Sequence, residues 1–219
     1  MDAALNTMNN VVDLAALRSA PVASDPFTHI LLPRFVRAEA LPAVFAALPP
    51  MKGRGSFPIE SLRLGAAAQA VIAGLESDEF RAIVENKFAI ELQGAPHMVT
   101  LRGNSGPQDG QIHTDSTAKR VTILLYLNPA GAKSWAQQQG CLRLLRSPDD
   151  LENYAAEVPP VDGTLLVFPN GPTTWHGHKT YAGQRYVVQM NYMTTSTKAK
   201  AEMRRHHLSA FIKRLTRAA

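Results

Sequence analysis

Residues 113–128 read HTDSTAKRVTILLYLN, a polar opening that contains a His-x-Asp and runs on into an alternating apolar segment. Side chains on an extended chain point to opposite sides with a period of two. Val121, Ile123, Leu125 and Leu127 therefore share one side, and Thr122, Leu124 and Tyr126 share the other. Residues 185–192, RYVVQMNY, repeat the arrangement, with Tyr186, Val188, Met190 and Tyr192 opposed to Arg185, Val187, Gln189 and Asn191. A strand with one wholly apolar face and one mixed face belongs to a sheet that packs on helices with the first and lines a polar cavity with the second.

Working outward, further short apolar runs at His97–Leu101, Cys141–Leu145 and Thr164–Phe168 are separated by Gly, Pro, Asn and Asp, the pattern of an all-β barrel or jelly roll. Residues 102–112 and 128–140 read as loops, the second long enough to form a mobile lid. The chain before this region is mostly helical. Phe27–Leu32 reads as a lead-in strand, and helices follow at about Arg37–Leu48, ended by Pro49-Pro50, at Ile59–Leu75, and at Ser77–Lys87 with Ser77 as its cap. The expected fold class is α+β with a mainly β core, a double-stranded β-helix of jelly-roll or cupin type with N-terminal helices packed on one sheet. The expected organisation is one domain over residues 1–197, with helical support to about 95 and the core from about 96. A basic C-terminal helix or tail over 198–219 follows.

At 219 residues and 45% hydrophobic, the chain can bury one sizeable core. Its net charge of +5 is unevenly spread. Lys198, Lys200, Arg204, Arg205, Lys213, Arg214 and Arg217 face only Glu202 in the last 22 residues, which leaves the remainder at −1. The basic character thus belongs to the tail, read as a solvated helix that packs Phe211, Ile212 and Leu215, and the body need not attract polyanions. Cys141 is the only cysteine, which excludes an intramolecular disulfide and cysteine-built zinc sites. No basic-then-apolar leader opens the sequence, and no apolar run reaches membrane-span length, so a cytoplasmic protein without membrane contact is expected.

The chemistry lies in the order His113-Thr114-Asp115, His176, Arg185. Residues two apart on an extended segment point the same way, so His113 and Asp115 can grip one metal, and a histidine from a distant strand can complete the face. Two histidines and one carboxylate leave three coordination positions open, which is the signature of non-haem Fe(II) oxygenases. Closed zinc sites keep fewer. Downstream, WHGHKTYAGQRYVVQMNY (residues 175–192) puts Arg185 at the head of a strand with a polar inner face. A buried guanidinium needs an anion, and a carboxylate is its natural bidentate partner.

These residues resemble the 2-oxoglutarate oxygenases of the prolyl-4-hydroxylase superfamily over about Leu101–Met193. The resemblance rests on His113-Thr114-Asp115, Val121-Thr122, Tyr126-Leu127-Asn128, Gly140 to Leu144, Gly163 to Phe168, His176 and Arg185-Tyr186. The lead-in DPFTHILLPRFV (residues 25–36) is similar to that of bacterial members. The resemblance implies iron held by His113, Asp115 and His176, with His176 preferred to His178 by its spacing to Arg185. It implies 2-oxoglutarate held by Arg185, with Tyr126 donating to the same distal carboxylate. Fe(II), 2-oxoglutarate as cosubstrate and O2 are the implied cofactors, with ascorbate as an optional reductant. The implied activity is hydroxylation of a C–H bond by a 2-oxoglutarate-dependent dioxygenase, with a peptide, a protein or a small molecule as substrate and peptidyl proline or another amino acid foremost.

Two departures bear on substrate. Many members carry a tyrosine about ten residues before the His-x-Asp, where this chain has Leu101-Arg102-Gly103. The base-demethylating branch carries a second arginine six residues after the first, where this chain has Asn191, so nucleic acid is not an expected partner. The rival reading is a non-catalytic metal cup that docks on nucleic acid or an acidic partner through the basic tail.

Overall fold

The alternating runs assemble into two antiparallel sheets in a computed structural model that describes residues 11–51, 53–131, 135 and 139–205. The strands are β1 (Ile30–Leu32), β2 (Phe57–Pro58), β3 (His97–Ser105), β4 (Lys119–Tyr126), β5 (Leu142–Leu145), β6 (Tyr154–Val158), β7 (Thr164–Pro169), β8 (His176–His178) and β9 (Gly183–Met193). The larger sheet runs β1-β7-β4-β9-β3-β2 and the smaller runs β6-β5-β8. The two face each other as an open double-stranded β-helix, with no closed barrel among the described residues.

The face assignments made from periodicity hold in both long strands. Val121, Ile123 and Leu125 of β4 and the following Leu127, with Tyr186, Val188, Met190 and Tyr192 of β9, lie in the core that also buries Leu17, Val71, Leu75 and Phe80. Those last residues come from α1 (Leu14–Ser19), α3 (Ala66–Leu75) and α4 (Asp78–Phe88), which cover the outer side of the larger sheet. Leu124, Tyr126 and Val187 face the other way and meet Leu142, Leu144 and Val158 of the smaller sheet. One sheet thus carries a dry layer toward the helices and a mixed layer toward its partner sheet.

Local chemistry explains the helix ends. Asp13 caps α1 by accepting from the Ala16 amide, and Ser77 caps α4 by accepting from the Phe80 amide at 3.1 Å. The helix expected at Arg37–Leu48 is shorter, α2 (Leu41–Ala46), and begins where Pro42 suits a first turn. The stretch Ile59–Leu75 splits into a 3-10 turn at Ile59–Ser61 and α3, because Gly65 takes an extended conformation as the N-cap. The lead-in strand starts at Ile30 rather than Phe27, since His29 is drawn into an isolated bridge with Ala23. β3 extends to Ser105, into the segment read as loop. A helical segment, described over 197–205, follows β9, and its Ala199 is fully buried beside Ala118 and Met193. Phe211, Ile212 and Leu215, and residues 132–134 and 136–138 of the segment read as a lid, lie outside the described residues.

On the outer side of β5 the side chain of Arg143 is fully buried. It pairs with Glu157, its cross-strand neighbour, at 2.7 Å and with Glu152 at 2.8 Å, and stacks over Tyr154. This cluster satisfies a charge that the smaller sheet would otherwise bury alone. Asn128 closes β4 in a similar way: its amide donates to the Pro160 and Tyr186 carbonyls, and its oxygen accepts from the Tyr186 amide at 2.6 Å. That clamp fixes β9 against β4 just where Arg185 leaves the sheet. Among the described residues no helix is long and apolar enough to cross a membrane.

Candidate metal centre

His113 belongs to the segment before β4 and His176 to β8, 63 positions later, yet the two exchange a reciprocal pair of backbone hydrogen bonds at 3.0 Å each. That isolated bridge sets the two imidazoles side by side, with ring centroids 4.4 Å apart. Asp115, two residues on, points to the same side, and one ligand atom from each of His113, Asp115 and His176 lies within 4.8 Å of the others.

The orientation of each group is fixed by a neighbour. The His113 Nδ1 contacts the Gln111 carbonyl at 2.8 Å and the His176 Nδ1 contacts the Thr174 carbonyl at 2.9 Å. If each Nδ1 carries the proton, both Nε2 atoms keep a free lone pair, the form that binds a metal. Asp115 is held at both oxygens, by the Lys119 ammonium at 2.6 Å and by the Thr122 hydroxyl at 2.6 Å. Thr122 is in turn tied to Asn170 and Asn191.

The electrostatics suit a cation. Burial alone would raise the Asp115 carboxyl pKa, but the Lys119 charge, His176 and the Thr122 hydroxyl outweigh it, and the net shift is downward. Burial and the neighbouring His113 push the His176 imidazole down to about 4. His178, beside it on β8, is also pushed down to about 4, by burial and by Arg185. Both rings are therefore neutral at neutral pH.

This has a measurable consequence for the metal-free protein. A histidine whose folded pKa lies below the unfolded value of about 6.5 binds fewer protons when folded, so its contribution to stability is complete above that value. That contribution is lost as pH falls from about 6.5 toward 4. Each of the two buried rings is expected to remove on the order of 3 kcal/mol over this window. Urea unfolding from pH 7 to pH 4.5 should show the decline, and His178→Gln should flatten it; a wild-type curve no steeper than that of the variant would contradict the assignment.

The three groups open onto a cleft of about 600 Å³, its mouth included, whose far wall holds Tyr126 and Arg185. Arg185 is only 7% exposed. Its Nε donates to the Gly140 carbonyl at 2.9 Å, and its guanidinium carbon stands 5.2 Å from the centre of the Tyr126 ring. Among the described residues no carboxylate forms an ion pair with it. Burial, the largest influence, lowers its pKa, so the fold holds a desolvated cation on the cleft wall without a protein anion.

All five sequence-derived site residues thus line one cleft, and His178 lines it too, apart from the three clustered ligand atoms. His29 and His97 stand elsewhere, the first buried against the Phe27 carbonyl and the second paired with Glu76. His206 and His207 lie outside the described residues. Trp135 packs on Tyr181. Sequence reading missed Lys119, whose i,i+4 spacing to Asp115 becomes meaningful only once a turn brings the two together.

Residues 100–193 match the family model described as the 2OG-Fe(II) oxygenase superfamily. Over these residues, less than half of the chain, the sequence is similar to that superfamily. Proteins of that superfamily use Fe(II), 2-oxoglutarate and O2. Among solved structures, the chain is similar to a prolyl-4-hydroxylase from Pseudomonas putida, at 16% identity and TM-score 0.55 over 83% of this chain and 92% of that one. It is similar to a prolyl 4-hydroxylase from Phytophthora capsici, at 15% identity and TM-score 0.55 over 89% of this chain and 66% of that one. It is also similar to a viral collagen prolyl hydroxylase from Paramecium Bursaria Chlorella virus-1, at 13% identity and TM-score 0.52 over 80% and 95%. At such identities the likeness is one of fold. No curated protein matches the sequence.

Proposed function

We propose that His113, Asp115 and His176 hold the ferrous ion, that Arg185 and Tyr126 hold the distal carboxylate of 2-oxoglutarate, and that the cleft hydroxylates a C–H bond of a prolyl or other amino-acid substrate. The observation that carries this reading is the convergence of two imidazoles and one carboxylate within 4.8 Å, in the same cleft as a buried guanidinium without a carboxylate partner among the described residues. The donor set fits the metal: two nitrogens and one oxygen on one face leave room for a bidentate cosubstrate and for O2. The unpaired guanidinium fits a dicarboxylate.

When bound, iron and 2-oxoglutarate supply the oxidising power, with the oxo acid ending as succinate and CO2. The protein's own residues do the rest. Thr122 and Lys119 hold the Asp115 carboxylate ionised and aimed. The Gln111 and Thr174 carbonyls set the imidazole rings. Leu124, Leu142 and Val187 keep the wall between the metal position and Arg185 apolar, which strengthens charge pairing inside.

The prolyl specificity is supported by the names of the similar solved structures, which is an analogy of fold. The rival, a non-catalytic cup that docks through its basic tail, is disfavoured because such a cup has no use for a buried cation beyond the metal position. The test is succinate formation by the purified protein with Fe(II), 2-oxoglutarate and O2, alone and with proline-containing peptides and free amino acids. Iron-dependent succinate formation, abolished by a chelator and stimulated by one of these compounds, is the expected result. Succinate formation that persists after iron removal would refute the proposal.

A further inference from the structure

The mixed face of the larger sheet carries a second guanidinium that the reading above does not use. Arg102 of β3 stands opposite Val187 of β9, which makes it a diagonal neighbour of Arg185 and of Gln189 on the same inner face. It lines the same cleft as the metal-binding cluster. One nitrogen of Arg102 is taken: NH2 donates to Asp109 Oδ1 at 2.8 Å. The other Asp109 oxygen accepts from the Gly106 amide at 2.8 Å, so that carboxylate is anchored to its own loop and holds the guanidinium by one edge. Among the described residues Nε and NH1 of Arg102 have no hydrogen-bond acceptor.

The surroundings reinforce the sign of this wall. Arg54 packs over Gly106, next to the cleft residue Ser105. His178 brings no charge, since burial and Arg185 keep it neutral. Arg185 itself feels Arg102 as a like charge. Asp109 is the only carboxylate paired with either cleft arginine among the described residues, and once a cosubstrate carboxylate has met Arg185, the free edge of Arg102 remains the cleft's outstanding anion-binding group. A fork of unpaired N–H donors held in place is suited to a carboxylate.

Resting on the proposed cosubstrate site, we propose that Arg102 is a specificity-determining residue that binds a free carboxylate of the substrate, so that the cleft takes a small carboxylic or amino acid, or the carboxyl end of a peptide, in preference to an internal peptide residue. A neutral chain segment would leave Arg102's edge desolvated and unpaired, which costs more than a missing apolar contact.

The test reads Arg102 directly. In protein labelled with 15N-arginine and loaded with Zn(II) as a redox-inert metal, the Nε–H signals of Arg102 and Arg185 are assigned from Arg102→Lys and Arg185→Lys. Acetate is then titrated with and without saturating 2-oxoglutarate, with acetamide as the neutral isostere. The expected result is a saturable millimolar shift of the Arg102 signal by acetate in both series, with acetamide at least ten-fold weaker. Calorimetry should show the acetate affinity falling about ten-fold in Arg102→Gln. Absence of a saturable shift, or an equal response to acetamide, overturns the proposal. So does a shift of Arg102 by 2-oxoglutarate that leaves it blind to acetate, which assigns the group to the cosubstrate. An Arg185 signal unmoved by 2-oxoglutarate strikes the cosubstrate reading instead, and the acetate series without cosubstrate still decides Arg102.

Discussion

Asp115→Asn is expected to leave the protein folded and to remove its metal affinity together with its succinate-forming activity. The amide is isosteric, and its single oxygen can still accept from one of Lys119 and Thr122, which now hold opposite oxygens of the carboxylate at 2.6 Å each. What disappears is the negative charge that a divalent cation needs. Outer-sphere partners of a metal site typically change affinity 10- to 100-fold, so loss of the one charged member of the proposed ligand set should exceed about 100-fold. Titration with Mn(II) or Fe(II) by calorimetry measures this, and circular dichroism with a thermal melt checks the fold. Because the Lys119 ammonium loses its ionic partner in a half-buried place, a small drop in stability, about 1 kcal/mol, should accompany the change. Metal affinity within a few-fold of wild type would remove Asp115 from the ligand set.

Arg185→Gln should act on a different quantity. Truncating one partner of a buried charge pair costs about 2–5 kcal/mol, and at the low end that corresponds to roughly 30-fold. The KM for 2-oxoglutarate is expected to rise by about 100-fold or more, with metal affinity unchanged, because no atom of Arg185 belongs to the metal-binding cluster. In the absence of cosubstrate the sign reverses. Wild type holds a desolvated cation with no carboxylate against it among the described residues, so the neutral variant should melt no lower than wild type, and its Tm can rise. Binding of 2-oxoglutarate should raise the wild-type Tm and leave that of the variant nearly still. A variant that melts well below wild type without cosubstrate would make Arg185 a structural residue, and an unchanged 2-oxoglutarate KM would exclude it from the cosubstrate site.

The legible part of this protein was whatever repeats with a short period. Alternation in β4 and β9 assigned each residue to a face, and the two buried layers follow those faces residue by residue. Ser77 was legible as a cap because an N-cap is a local arrangement of a few residues. Boundaries were less legible where a single residue's conformation decides them, as Gly65 does between the 3-10 turn and α3. β6 and β8 escaped notice. β8 is a three-residue strand, too short to show alternation, and it exists because Leu142 and Leu144 on β5 and the bridge to His113 supply its partners. β6 is only half-buried and lacks a strong apolar rhythm.

The amino-acid sequence alone determined the class of fold and offered the candidate groups, because strand faces and a His-x-Asp spacing are properties of neighbouring residues. Only the tertiary structure decided how these groups meet. The 63-residue gap from His113 to His176 is closed by two backbone hydrogen bonds between β8 and a segment that precedes β4. Lys119, Thr122 and Asn191 become partners of one carboxylate network only when a turn and two strands converge. Arg102 faces the cleft because β3 pairs with β9 in a register that no local pattern specifies. Pairing between distant segments depends on the whole set of buried surfaces fitting at once, and that information is not carried by any stretch of the chain read by itself.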